Sequence, residues 1–351
     1  MKERAEVTLG PFERYIYVWI ILCGAAGLLL GRFIPQVRQT FNAMTISGVS
    51  IPIAFLMFFI MMYPTMAGVR LEELSKAARN IKPTILTLIA NWIITPPLMV
   101  LVAMLFLSHN PDYRAGIILL GLSPCTGMVL FWIAFARGNV TQGVVITAIN
   151  ALSTLILYSP FAAFYLGIGG VPVPFSLVLL SVILFIAIPL AAGQISRRAL
   201  IKRKGETWFS DRFLPVMNNI AAVALLGMLV VMFSFEGQVI LERPLDVVRI
   251  AIPLIAQFVI LLAGVYSIGW LLGFNYEDAI MSTFIGSSTQ FEVAIGTAMV
   301  VFGIGSGAAL ATVVGPLIEV PLMVTATKVI KRVIKRTRAT FPKPVFQWRN
   351  L

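Results

Sequence analysis

Two short stretches of this 351-residue chain combine side chains that can do chemistry with residues that interrupt a helix. The first is Gly121-Leu-Ser-Pro-Cys-Thr-Gly127, where Cys125 follows a proline inside an otherwise apolar run. The second is Gly286-Ser-Ser-Thr-Gln290, with Glu292 two residues further on. Pro124 lacks an N–H and crowds the preceding turn, while Gly121 and Gly127 loosen the backbone on either side. In the second stretch Gly286 does the loosening, and hydroxyls and an amide compete for backbone hydrogen bonds. Freed amides at a helix break favour a thiolate, and a soft sulfur suits a soft, thiophilic solute, so Cys125 is the candidate ligand for such cargo. Ser123, Thr126, Ser288, Thr289 and Gln290 supply the polar groups beside it.

Of the 15 acidic residues, only Glu292 and Glu319 fall within apolar spans. A charge at bilayer depth costs about 2.5–3.5 kcal/mol, so each needs a partner, water or a proton. Glu292, next to the second break, suits proton exchange with the site. Glu319, between Pro316 and Pro321, is a second candidate for that role. The plainer reading of either is a hydrogen-bonded structural carboxylate. Asn91 and Asn150 are within reach of the same site, although they read first as interhelical hydrogen-bonding groups, as do Asn218, Asn219 and Gln257. Cys23 reads as packing, and His109 falls in a loop.

The elements that must position these residues are transmembrane helices. Apolar residues make up 59% of the chain and charged residues 12%, against roughly 45–50% and 25% in soluble domains, so lipid must be part of the solvent. Two cysteines and one histidine exclude a disulfide framework or a histidine-rich metal site, and no cofactor is expected. Apolar windows mark spans at Tyr15–Ile34, Ile46–Met66, Pro83–Leu107, Tyr113–Ala136 and Val140–Leu166. A second set follows at Phe175–Ile195, Arg212–Phe235, Val247–Leu272, Ala279–Phe302 and Gly307–Ile330. The first span reads as retained, not as a cleaved signal. The clusters Arg70/Lys76/Arg79/Lys82, Arg197 to Lys204, and Lys328 to Arg338 share one side when both termini are cytoplasmic. That asymmetry accounts for the net charge of +12 without nucleic acid.

The second five spans follow the first at an offset of about 165 residues, and each break lies in the fourth span of its set. An odd number of spans per set inverts one half relative to the other. The expected fold is therefore all-α, with ten transmembrane helices in an inverted 5+5 repeat: a single membrane domain over 1–351, with repeats at 15–166 and 175–330 and a basic cytoplasmic tail at 331–351. Helices four and nine are therefore expected to be discontinuous and to cross; such interruptions are tolerated at membrane depth only where buried in protein or lining a polar cavity, which makes them the expected binding site.

At these residues the chain resembles a known family. Gly121 to Val129 with Trp132 and Arg137-Gly138 is similar to the signature of the arsenical-resistance-3 permeases, arsenite efflux carriers of the bile/arsenite/riboflavin transporter superfamily. The resemblance continues through Phe12-Glu-Arg-Tyr15, Met61-Met-Tyr-Pro64, Asn91-Trp-Ile93, Arg212-Phe-Leu-Pro215, Pro244 to Arg249, Phe291-Glu292 and Gly315 to Pro321. It implies export of arsenite, and of antimonite, with the cysteine and glutamate that fall at Cys125 and Glu292 essential. Two positions depart from the family: Thr289-Gln290 stands where two asparagines are usual, and Gly127 where alanine is usual. The mechanism expected is secondary transport by proton antiport across the cell membrane. The alternatives are a sodium-coupled organic-anion symporter on the same fold, with the polar run 287–290 holding the ion, and a membrane enzyme or receptor, for which no nucleophile–base set or sensor loop is visible.

Overall fold

A computed structural model describes residues 16–33, 51–72, 74, 80–242, 244–303 and 305–337. The Phe12–Tyr15 motif, the ends of the first span at Tyr15 and Ile34, residues 46–50, Lys76, Arg79 and the last fourteen positions of the basic tail lie outside the described residues. The described part consists of helices joined by short non-helical segments. In chain order the helices are α1 (Ile16–Phe33), α2 (Ile51–Gly68), α3 (Ile81–Phe106), α4 (Pro111–Gly121), α5 (Met128–Phe135) and α6 (Val140–Ile168). They continue with α7 (Phe175–Lys204), α8 (Leu214–Glu242), α9 (Pro244–Leu271), α10 (Tyr276–Ser287), α11 (Phe291–Phe302) and α12 (Gly307–Thr337).

Among the described residues, six helical stretches are long and apolar enough to cross a membrane: α3, α6, α7, Glu206–Phe235, α9 and the Gly307–Ile330 part of α12. Their outward faces carry large apolar side chains such as Leu105, Ile156 and Val223, each about 70% exposed, which belong against lipid. The expected spans at Tyr113–Ala136 and Ala279–Phe302 are not continuous rods. Each is two helices, α4 with α5 and α10 with α11, separated by non-helical backbone. The α7 helix runs past the expected end at Ile195 through the basic cluster to Lys204, and α12 continues to Thr337.

Proline explains a further local feature. Three single π-turns interrupt the helices, at Ala90–Ile94, Ile183–Ala187 and Phe209–Phe213. Each ends two residues before a proline: Pro96, Pro189 and Pro215. A proline ring clashes with the carbonyl four residues back and offers no N–H to it. Widening that turn relieves the clash and keeps the helix running.

The four half-helices are the centre of the molecule. The α4 helix packs on α3 and α12, and α10 packs on α9, α3 and α6. The α11 helix lies against α12 and α7, while α2 is held between α7 and α8. Close approach depends on small residues. A Cβ on Gly116 would stand 2.4 Å from the Ala308 carbonyl oxygen, so α4 sits directly on the α12 backbone.

Candidate functional site

The two interruptions meet. Pro124 and Thr289 form an isolated antiparallel β-bridge, flanked by two backbone hydrogen bonds. Cys125 N–H donates to the Ser288 carbonyl at 3.3 Å, and Gln290 N–H donates to the Ser123 carbonyl at 2.6 Å. Unpaired backbone in an apolar interior costs several kcal/mol per group, so each break supplies what the other lacks. The crossing is thus held by the groups that the breaks set free.

Further side chains brace both strands of the bridge. Asn91, in the first π-turn, donates to Asn150 Oδ1 at 3.1 Å, and Asn150 donates to the Cys125 carbonyl at 3.3 Å. On the other strand, Glu319 accepts three hydrogen bonds. Its Oε1 receives Ser288 Oγ at 2.6 Å and Thr289 N–H at 3.2 Å, and its Oε2 receives Thr289 Oγ at 2.8 Å. Glu319 itself is 4% exposed. Three hydrogen bonds on one carboxyl group make it the most heavily bonded side chain at the crossing.

A cavity of about 600 Å³ lies beside the crossing. Arg70 and Leu214 line it together with Thr126, Gly127 and Glu292. Its size falls within the roughly 300–1,000 Å³ usual for small-molecule sites. Glu292, in the first turn of α11, is partly exposed to this space. Cys125 is 5% exposed, one residue before the cavity wall.

Residues 54–243 match the family model described as the Sodium Bile acid symporter family. The chain belongs to that family. It is 41% identical to an uncharacterized transporter of Synechocystis, over 97% of this chain and 92% of the relative. It is 39% identical to the arsenical-resistance protein Acr3 of Alkaliphilus metalliredigens, over 95% of both chains. To the Acr3 arsenical-resistance protein of Corynebacterium glutamicum the identity is 37%, over 89% of this chain and 86% of the relative. The resemblance read from the motifs therefore extends over nearly the whole chain.

In this member of the symporter family the polar residues singled out in the sequence fall into two groups. Asn91, Asn150, Ser288 and Thr289 direct their side chains into the scaffold contacts just described. Ser123 Oγ, Thr126 Oγ and Gln290 Oε1 are buried with no hydrogen-bond partner among the described residues. Gln290 anchors its other end, donating from Nε2 to Met62 Sδ at 3.5 Å. Buried polar atoms are almost always satisfied, so three open ones around one crossing point to a solute or water there. Gly286 is not in the interruption. It is helical, the penultimate residue of α10, where a Cβ would stand 2.9 Å from that of Ala90. Its small size serves packing against the first π-turn; the break begins after Ser287. Gly127 does sit at the edge of the first break, preceding α5, with Thr65 Cγ2 2.8 Å from where its Cβ would be.

Several cavity residues carried no clear sequence signal as a site. Asn218 and Asn219 read as interhelical ties but stand on the cavity wall. Thr65, Thr147 and Trp132 also line it. A pair of asparagines in the first turns of an apolar helix was the one visible pointer, and it fits a wetted wall as well as a helix contact.

Proposed function

We propose that this chain exports trivalent arsenic across the cell membrane by exchange with protons, as a ten-helix carrier built from two inverted repeats. The printed names of two relatives support the substrate, and the three unpartnered polar atoms beside Cys125 carry the reading at the site. At neutral pH arsenous acid is a neutral trihydroxy solute. Its hydroxyls can donate to Ser123, Thr126 and Gln290, and its arsenic suits a soft sulfur. The thiol of Cys125 takes the arsenic in exchange for one of its hydroxyls, releasing water, and water reverses the exchange. A single sulfur holds weakly enough to let go. Antimonite, with the same chemistry, is a second substrate.

Glu292, on the cavity wall, is the proton-exchanging group. Protonation from the far side competes with bound solute and drives release. Neutral solute exchanged for H⁺ moves charge, so the membrane potential contributes about 2.3 kcal/mol per 100 mV. Glu319 has both carboxylate oxygens committed to Ser288 and Thr289, which supports a positioning role over proton exchange.

The inverted repeat (15–166 against 175–330) is supported by matching landmarks. The starts of α4 and α10, their ends, and the ends of α5 and α11 lie 165, 166 and 167 residues apart. The packing of α4 on α3 agrees with that of α10 on α9. Both termini are cytoplasmic, which puts Arg70 and its end of the cavity on the inside. A sodium-coupled anion carrier is the second reading, suggested by the family's description. Against it, the hydroxyls of Ser288 and Thr289 are already engaged, and among the described residues the cavity's one basic lining residue is Arg70.

The test is arsenite accumulation in arsenic-sensitive cells expressing wild type, Cys125→Ala or Glu292→Gln. Wild type is expected to lower accumulation, with both variants matching the empty vector. Equal accumulation in wild type and empty vector refutes export. Sodium-dependent uptake untouched by Cys125→Ser moves the chain to the second reading.

A further inference from the structure

The α7 helix carries its lipid-facing side straight into a group of cations. Phe175, Leu179, Ile183, Ile188 and Ile195 are its exposed large apolar residues, from 38% to 69% exposed. At 1.5 Å per residue the row from Phe175 to Ile195 is about 30 Å long, the thickness of a bilayer's hydrocarbon core. The helix does not stop there but continues to Lys204. Ile188, Ile195 and Lys202 are spaced two helical turns apart, and Arg198 lies one turn beyond Ile195, so both cations continue the acyl-facing side. Both are exposed. They stand about 5 Å and about 10 Å past Ile195 along the axis. The polar layer of a bilayer is about 5–8 Å deep on each side, so Arg198 lies within it. Lys202 reaches it by folding its aliphatic stem back.

The acids of this region are committed elsewhere. Arg197, on the inward side of the same turn and 3% exposed, lies with Nε 3.8 Å from Glu72 and Nη2 3.7 Å from Glu206. Its guanidinium is also 5.3 Å from the centre of the Phe209 ring. Glu206 is shared with Arg70 at 3.9 Å. Between residues 198 and 212 the basic groups Arg198, Lys202, Arg203, Lys204 and Arg212 stand against Glu206 and Asp211 alone. Among the described residues no carboxylate lies within ion-pair distance of Arg198 or Lys202. Lys204 Nζ rests 4.1 Å from the centre of the Trp208 ring, and that half-buried indole stacks on Phe213 at 6.0 Å. An indole with one polar edge belongs at the depth of the headgroups, which places this end of α7 at the membrane surface.

We propose that Arg198 and Lys202 form a binding site for the phosphate headgroup of an anionic phospholipid, whose chains lie along Ile195 and Ile188. Two cations without counter-ions, at the end of a face already clothed in acyl chains, are matched in charge and in height by that one class of molecule. The phosphate takes the fork of Arg198 and the ammonium of Lys202, while Arg197 stays with its glutamates inside the protein. The site is independent of what the carrier moves.

The experiment is native mass spectrometry of the detergent-purified protein titrated with phosphatidylglycerol or phosphatidylcholine. Wild type is expected to bind the first phosphatidylglycerol well ahead of phosphatidylcholine. Arg198→Gln and Lys202→Gln should each weaken phosphatidylglycerol about fivefold, and the double variant about thirtyfold, with phosphatidylcholine unchanged. Arg198→Lys keeps the charge and should keep most of the binding. Arg249→Gln, which removes a 58% exposed cation paired with Asp246 on α9, should leave it intact. Glycerol phosphate, a headgroup without chains, should not displace the lipid at equal concentration. Equal affinity of wild type for the two lipids, or a double variant that binds phosphatidylglycerol like wild type, overturns the site. So does a loss in Arg249→Gln as large as in the double variant, which would report overall charge. Displacement by glycerol phosphate would make it an anion site without lipid and overturn it equally. The readout uses no arsenic, so its failure and the failure of arsenite export register separately.

Discussion

Replacing Glu319 separates a carboxylate that pins the crossing from one that carries protons. Glu319→Leu removes an acceptor from three donors at once: Ser288 Oγ, Thr289 N–H and Thr289 Oγ. Stranding buried donors costs about 1–3 kcal/mol each, and water reaching the crossing from the cavity trims the sum, so a net loss of about 3–5 kcal/mol is expected. Glu319→Gln keeps most of the geometry. Its carbonyl still accepts from Ser288 and from Thr289 N–H, and its NH₂ donates to Thr289 Oγ once that hydroxyl turns round. What it loses is the ability to ionise. Unfolding midpoints in detergent, read beside arsenite efflux, are the assay. The expected order is wild type above Gln above Leu in stability, with efflux surviving in Gln and lost in Leu. A Leu variant as stable as wild type would show that the crossing is not pinned here. A well-folded Gln variant as inactive as Glu292→Gln would show that the charge of Glu319 takes part in the cycle.

Other substitutions probe the remaining contacts. Thr126→Val removes an unpartnered hydroxyl without changing shape, so the unfolding midpoint should hold or rise while the KM for arsenite rises about tenfold. A lowered midpoint with unchanged KM would place that hydroxyl in the scaffold instead. Asn150→Ala cuts the link from Asn91 to the Cys125 carbonyl and should cost about 1–3 kcal/mol in the same unfolding assay. Gly116→Ala puts a Cβ 2.4 Å from the Ala308 carbonyl and should cost about 1–3 kcal/mol, since a backbone neighbour cannot swing aside; unchanged stability would mean that α4 and α12 slide apart freely.

The breaks were legible because proline, glycine and hydroxyl residues act locally, and composition alone required lipid. The π-turns at Ala90, Ile183 and Phe209 each lie just ahead of a proline, but Pro160 and Pro253 sit inside uninterrupted helices, so proline alone does not mark them. The crossing of the breaks was legible through the repeat alone. Pro124 and Thr289 are far apart in sequence, and it is their matching places in the two sets of spans that pair them; the residue-to-residue bridge was not legible. Sorting the polar residues needed the same long-range information. Ser288 and Ser123 look alike as residues, yet one is spent on Glu319 and the other is open. Gly286 misled because a glycine beside a polar run reads as flexibility, whereas its use is contact with Ala90.

The arsenic environment in purified protein tests the account most directly. X-ray absorption at the arsenic edge, on wild type loaded with arsenite, should find one sulfur beside oxygen neighbours. Cys125→Ala should leave oxygen alone, and Cys23→Ala should change nothing. A wild-type spectrum with only oxygen neighbours, or a sulfur that survives Cys125→Ala, would contradict a site built on that thiol.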